Sequence, residues 1–278
     1  MRLRRIIFAM TDMNALPYVL ASWNVNSIRA RIDHVTRFLH DHQSQSSPID
    51  VLFLQELKAE QVDQIHPDYT QHAVTQKSYN GVAILTKGPS SLICNRLAGG
   101  EDDDQARYLE VDWNGLRLIN IYLPNGNPVS DEGAGEKFSY KLAWMDRLYH
   151  RLKTLREANC PFVVGGDFNV IPADIDCYDP ALWRGDALFH PRTHRAWRMI
   201  LNLGLADAYR VIHPDTPHAY SFWDYQGGAW QNDLGIRIDH FLLSPTLTDR
   251  LISCSIDKSP RGWDRPSDHT PILLKLSR

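Results

Sequence analysis

The sequence predicts a single α/β domain: two β-sheets packed face to face, with helices on the outside. Three observations carry that reading. Apolar runs of strand length outnumber runs of helical periodicity. The strands occur both as adjacent pairs and in alternation with helices. No repeat, low-complexity tract or linker divides the 278 residues, a length that large sandwich domains reach as one unit. Residues 1–17 are set apart as an N-terminal extension, with Met10 and Met13 as alternative starts, and 18–278 form the domain.

Taken in order, 18–25 reads as a strand ending at Asn24. Ile28, Ile32, Val35, Phe38 and Leu39 then recur at helical spacing, with Arg29 and Arg31 at the start. The stretch 41–48 reads as a polar loop. An apolar run, 49–54, is a buried strand leading straight into Gln55-Glu56. Asn80-Gly81 precedes a strand over 82–85, and Asp102-Asp103-Asp104 is an acidic loop. Residues 107–113 alternate, Asn114-Gly115 turns and 117–123 returns. This is the strongest hairpin signal in the chain, and it brings Tyr122 to a strand end before Pro124-Asn125-Gly126. Phe138, Leu142, Met145, Leu148, Leu152 and Leu155 form one face of a long amphipathic helix.

The run 162–164 is a buried strand that Gly165 and Gly166 stop. Asp167 and Asn169 then lie just past its end, where layered α/β folds build their sites. A long connection over 178–191, containing Trp and Pro, follows. Ala196, Ile200 and Leu203 suggest a helix that Gly204 ends. The stretches 220–225 and 236–243 read as strands, with Asp239 inside the second. Ser267-Asp268-His269 precedes a last strand over 272–276.

Composition narrows the class. A net charge of −3 gives no global positive field for nucleic acid, so such a site must be a local patch. Four cysteines without CxxC spacing argue against a zinc module or a disulfide framework and fit a reducing compartment. The apolar run near the start is too short for a signal segment, and no stretch approaches transmembrane length. The expectation is a cytoplasmic protein.

The chemistry lies in the polar residues at the ends of apolar strands: Asn24, Glu56, Tyr122, Asp167, Asn169, Asp239, Asp268 and His269. Singly, each has a plainer explanation. Glu56 alone is a solvated strand end, Asp268-His269 alone a turn, and Tyr122 alone a core tyrosine with a satisfied hydroxyl. His190 and His194 have metal-like spacing, but Pro191 stands between them, and they are read as surface residues. Together, buried carboxylates repel one another and lose solvation, so they need a cation. Oxygen donors without cysteine favour Mg²⁺ or Mn²⁺ over zinc. A lone His beside an Asp suggests an oriented imidazole rather than a ligand. Such a set suits phosphodiester hydrolysis.

The motifs are more specific in sequence order: Trp23-Asn24-Val25-Asn26 with Ile28-Arg29-Ala30-Arg31, Leu54-Gln55-Glu56-Leu57-Lys58, Asn80-Gly81-Val82-Ala83-Ile84-Leu85 and Tyr122-Leu123-Pro124-Asn125-Gly126. Then come Gly165-Gly166-Asp167-Phe168-Asn169, Phe222-Trp223-Asp224-Tyr225, Gly235-Ile236-Arg237-Ile238-Asp239 and Pro266-Ser267-Asp268-His269-Thr270-Pro271. From Ser22 nearly to the C-terminus the chain resembles the exonuclease III family of abasic-site endonucleases, within the endonuclease/exonuclease/phosphatase superfamily. It departs from the family at Leu57, where a Thr is common, and before Ser22.

The resemblance implies a four-layer α/β sandwich, two packed mixed β-sheets flanked by helices, with the site at one rim. It implies a monomer that incises double-stranded DNA 5′ to abasic sites and acts on 3′ ends as a 3′→5′ exonuclease and 3′-phosphatase. The cofactor would be Mg²⁺, replaceable by Mn²⁺, as one ion or two. Glu56, Asn24 and Asp268 would form or support the metal site. Asp167 would orient or deprotonate the attacking water, with Asn169 positioning water or phosphate. Asp239 would fix the tautomer of His269, and Tyr122 would stabilise developing charge. Either Asp167 or His269 is the general base. Arg29, Arg31, Arg107 and Lys137 would contact DNA, whose phosphates demand local cations. Phe222, Trp223, Ile236 and Ile238 would face the substrate, with a pocket for the base-free sugar at Phe222, Ile236 and Ile238. The rivals are another phosphoesterase of the superfamily and a non-catalytic DNA-binding or scaffold protein.

Overall fold

The computed structural model describes residues 16–45, 48–129 and 135–278. Of the extension set apart above, residues 1–15 lie outside the described residues, as do both alternative starts.

Two mixed six-stranded sheets face each other. The first contains β1 (Tyr18–Asn24), β2 (Val51–Gln55), β3 (Tyr69–Val74), β4 (Val82–Lys87), β11 (Leu251–Ile256) and β12 (Ile272–Leu276), in the order β11-β12-β1-β2-β4-β3. The second contains β5 (Ser91–Cys94), β6 (Tyr108–Trp113), β7 (Leu116–Tyr122), β8 (Phe162–Asp167), β9 (Ala206–Asp207) and β10 (Asp239–Leu243), in the order β5-β6-β7-β8-β10-β9. Each sheet has a parallel pair near its centre, β1 with β2 and β7 with β8. All other pairings are antiparallel.

Side chains alternate across a strand, and this alternation builds three apolar layers. Leu20, Val51, Phe53, Ile84, Leu118, Val163, Phe241 and Leu274 fill the space between the sheets. Val19, Ala21, Trp23, Leu52 and Leu54 point the other way, onto α1 (Ile28–Ser44) through Val35 and Phe38. Ile119, Ile121, Phe162 and Val164 meet α2 (Glu136–Glu157) and α4 (Pro191–Leu201) through Leu148, Leu152 and Trp197. Trp23 is fully buried, and its replacement by Ala would cost about 3–5 kcal/mol. Three shorter helices, α3 (Pro180–Trp183), α5 (Ala208–Ile212) and α6 (Pro245–Thr248), complete the described set.

Several elements differ from the sequence reading. Helix α1 runs through Ser44 instead of ending before Asp41, because no Pro or Gly interrupts it and an Arg37–Asp41 pair spans one turn. Gly165 and Gly166 do not stop β8, which continues through both to Asp167. They are required by close packing instead. A Cβ on Gly165 would lie 2.6 Å from the Phe241 ring, and one on Gly166 would lie 2.0 Å from the Ile121 carbonyl oxygen. Residues 220–225 form no strand, only isolated bridges from Phe222 to Ile236 and His269. There the Ser221 hydroxyl takes the backbone N–H groups of Ile238 and Asp239, displacing ladder bonds. For the same reason β10 begins at Asp239 rather than at 236. His190 caps α4 by accepting from Arg192 N, and His194 bonds the Ile171 carbonyl, so both are half-buried structural residues rather than a metal pair.

Candidate active site

The alternation that fills the inter-sheet core also delivers the site. Leu20, Ser22 and Asn24 share one face of β1; Leu118, Asn120 and Tyr122 share one face of β7; Val163, Gly165 and Asp167 share one face of β8. Each series starts apolar at mid-sheet and ends polar at the same rim. One level below the rim the interior is already polar. Gln55 donates to Ser22 and Asn120, whose amide donates to the Leu54 and Ala83 carbonyls. The carboxyl ends of β1, β2, β7 and β8 meet the start of β10 and the residues just before β12.

Glu56 is the first residue past β2. Its φ of +53° turns the side chain back to the rim, and Asn26, Lys58 and Asn169 also adopt positive φ beside it. Such backbone strain persists only where surrounding bonds enforce it. Here Ser27 N donates to the Glu56 carbonyl and Leu57 N to the Gly81 carbonyl. Leu57 itself is fully buried in the layer beneath α1.

The side chains form one connected set. Asn24 Nδ2 donates to Glu56 Oε1 at 2.8 Å and to Asp167 Oδ2 at 3.0 Å. Lys58 Nζ lies 2.7 Å from Glu56 Oε2. Asp167 Oδ1 accepts the Asn169 N–H at 2.9 Å. His269 Nε2 stands 3.7 Å from Asp167 Oδ2, while its Nδ1 lies 2.8 Å from Asp239 Oδ2. Ser221 donates to the same Asp239 oxygen, and Asp239 Oδ1, fully enclosed, has no partner. Ser267 holds the His269 segment to β1 by donating to the Asn24 carbonyl. Asp167, Asp239 and His269 are all at most 3% exposed.

Electrostatics separates the carboxylates. Burial pushes Asp167 up to about 7, and Asp239 and Glu56 add repulsion that His269 only partly offsets. Burial also works against the charge of Glu56, but Lys58 and Asn24 outweigh it and hold that carboxyl below its ordinary range. For His269, burial is outweighed by Asp239 and Asp167, which raise the imidazole to about 10. Tyr122 is pushed well above its usual value by burial and by Glu56 and Asp167, so it stays a neutral phenol able to donate.

Glu56, Asp167 and His269 offer donor atoms that all lie within 4.8 Å of one another. Burial lifts Asp167 above its ordinary range, which a bound cation would reverse, and oxygen donors on two carboxylates suit a hard divalent cation. Two expected members of the metal set stand differently. Asn24 turns its amide nitrogen to the carboxylates and spends Oδ1 on the Asn26 N–H, so it braces Glu56 and Asp167. Asp268 is half-buried and turned to the Asn26 amide, outside the converging group.

The other expected contacts divide. Arg29 and Lys137 are exposed. Arg31 is committed internally, to the Asn26 and Pro266 carbonyls and the Tyr225 hydroxyl. Arg107 lies over the Tyr122 ring at 4.7 Å and donates to the Tyr122 carbonyl. Phe222 and Ile236 line a pocket of about 440 Å³ with Tyr178, Trp183 and Leu234. Ile238 lies under it in the same apolar cluster. The Phe222 ring is 4.9 Å from the His269 ring, which joins the pocket to the polar centre. Trp223 does not face it: the ring is fully buried against Tyr220, Ala229 and Trp230, and its Nε1 donates to Asp233. Reasoning from sequence missed Lys58, Asn26 and Ser221. Each stands in or beside a quoted motif, but only the fold shows that its polar atoms close on the site.

Residues 21–269 match the endonuclease/exonuclease/phosphatase family. An exodeoxyribonuclease of Bacillus subtilis is 30% identical, covering 93% of this chain and 99% of its own length. Among solved structures, a 3′ phosphatase from Neisseria bound to a product DNA hairpin superposes with a TM-score of 0.86 at 33% identity, covering 95% of this chain and all of that one. An AP endonuclease from Archaeoglobus fulgidus gives 0.83 at 33% identity, covering 94% and 100%. Among the described residues, no helix is long and apolar enough to cross a membrane.

Proposed function

The chain belongs to the endonuclease/exonuclease/phosphatase family, and from that premise we propose that it is a cytoplasmic, monomeric DNA-repair nuclease. It incises duplex DNA 5′ to abasic sites and trims or dephosphorylates 3′ ends. The observation that carries this is the connected rim set, Glu56–Asn24–Asp167–His269–Asp239, joined through Phe222 to an apolar pocket. The names of the similar nuclease, phosphatase and AP endonuclease support it.

Glu56 would hold a divalent cation, Mg²⁺ or Mn²⁺, beside Asp167, and that cation when bound supplies Lewis-acid stabilisation of the phosphate. Asp239 keeps His269 protonated through Nδ1, so Nε2–H faces the site as a donor to a phosphate oxygen. That leaves Asp167, already near the operating pH, to take the proton of the attacking water. Water then adds to phosphorus as the P–O3′ bond breaks. The neutral Tyr122 hydroxyl donates to the charge that develops. Asn169 is fixed by the Leu123 carbonyl, Asn125 and Asp167, and orients the Asp167 carboxylate. Exposed Arg29 and Lys137 would meet the DNA backbone. An abasic sugar flips out at low unstacking cost, and Phe222 and Ile236 offer its apolar face contact beside the polar centre.

The test is cleavage of matched duplexes with and without one abasic analogue, in Mg²⁺ or chelator. Metal-dependent incision confined to the abasic duplex is expected. Equal internal incision of both duplexes, apart from trimming at their 3′ ends, would contradict the specificity, and no cutting of either would contradict the activity.

A further inference from the structure

Lys141 has no exposed surface, although a lysine is rarely buried without a carboxylate partner. It stands in α2 three residues after Phe138, on the stripe that faces the core. Its Nζ donates to two backbone carbonyls, Asn125 at 3.0 Å and Asn169 at 2.6 Å. Those carbonyls belong to the two loops that leave the rim after β7 and β8. Gly126 makes room for the lysine stem: its φ is +92°, and a Cβ there would lie 2.6 Å from Lys141 Cδ. The loops are also bonded to each other. Asn169 Nδ2 donates to the Leu123 carbonyl at 2.8 Å, and Asn125 Nδ2 donates to Asn169 Oδ1 at 3.2 Å.

We propose that Lys141 is a positioning residue for phosphodiester cleavage, clamping the loops after β7 and β8 from beneath so that Asn169 and the Asp167 carboxylate keep their register with Tyr122. This rests on the reading of the rim as a nuclease centre. Burial pushes the Lys141 amine down to about 7, but its N–H groups donate to both carbonyls whether it is charged or neutral. Asn169 needs such a hold, because its φ of +48° is a conformation that neighbours must enforce. With Lys141 in place, both amide atoms, the N–H and the carbonyl of Asn169 are all engaged.

Lys141→Met keeps most of the stem and removes the donor. Three readouts are taken on the folded protein with a duplex carrying an abasic analogue and saturating Mg²⁺. Single-turnover cleavage should slow about tenfold to 100-fold, the effect typical of groups that orient a metal-site residue. KM for the duplex should stay within about twofold. Amide hydrogen exchange should quicken in 123–127 and 168–171 but not in β1. Unchanged cleavage, or a raised KM at unchanged kcat, would overturn the assignment, as would unchanged exchange. If the Met variant does not fold, Lys141→Gln is read by the same criteria. Wild-type protein that cleaves nothing would remove the nuclease reading, while hydrogen exchange would still decide whether Lys141 holds the loops.

Discussion

Two buried charge clusters lie on either side of residues 236–240, and they are finished differently. Behind the pocket, Arg237 bonds Asp207 through Nη2 at 2.8 Å and Asp176 through Nε at 2.7 Å, and Arg210 adds a second guanidinium to Asp176. Two carboxylates meet two guanidiniums, Asp207 is held below its ordinary range by Arg237 against the pull of burial, and His240 is pushed down to about 4 by burial and Arg237. At the rim, Glu56, Asp167 and Asp239 face Lys58 and His269, with Lys141 farther from Asp167. There Asp167 rises to about 7 and His269 to about 10. Both clusters contain Asp and His in near-total burial. What distinguishes the rim is that burial prevails at Asp167, whereas Arg237 outweighs it at Asp207.

The contrast breaks most visibly where the balanced cluster loses its centre. Arg237→Met should cost about 3–5 kcal/mol in urea unfolding, because it strands the buried Asp207 carboxylate and leaves Asp176 to Arg210 alone. Removing a carboxylate from the crowded rim by Asp167→Asn should leave stability equal or higher. Equal losses in both variants would erase the distinction.

Acid should next reveal the same asymmetry. Unfolded chain takes up the His240 proton near 6.5 and folded chain only near 4, so protonation favours unfolding across that window. The His240 contribution is complete above about pH 6.5 and falls as pH drops toward 4, by up to about 3 kcal/mol. Urea midpoints of wild type and His240→Gln, measured from pH 7 to 4.5, should diverge with the wild type losing more. Parallel curves would show that His240 is not the titrating group.

On turnover the order reverses, and the rim dominates. Asp167→Asn and His269→Asn should each keep DNA binding and lose about 10²-fold or more in rate, the scale of acid–base roles. Weakened binding with a normal single-turnover rate would reassign both residues to substrate positioning. A smaller effect is expected from Glu56→Ala, which should raise the Mg²⁺ needed for half-maximal activity about tenfold or more; an unchanged requirement would take Glu56 out of the metal site. Smallest is Phe222→Ala. It should lower kcat/KM about tenfold on an abasic duplex and less on a recessed 3′ end, the discrimination one apolar contact supplies. Equal losses would make Phe222 plain core.

Much of this was legible because strand ends are local. Apolar runs followed by Asn24, Glu56, Tyr122 or Asp167, and one preceded by His269, announce themselves in sequence, and the 107–123 hairpin forms as its turn residues dictate. The pairing of edges was not legible. Tyr69–Val74 and Ser91–Cys94 are strands only because a neighbour completes their hydrogen bonds, and they carry little apolar pattern of their own. The false strand at 220–225 failed for the converse reason, since Ser221 spends its hydroxyl on the Asp239 segment. Lys141 left a trace, a cation within an apolar helical stripe, but only the fold shows which carbonyls receive it.

The first strand of the described domain is sealed by one of the last. Val19 pairs with Lys275, and Trp23 donates to the His269 carbonyl across 246 residues of chain. On a ribosome, Asn24 emerges long before the histidine it must meet. At roughly 5–20 residues per second, the gap lasts roughly 12 to 50 s. Throughout that interval half of the rim exists without the other half. A chain assembled in this order has no complete rim while it is still being made, and none in any fragment that ends before His269.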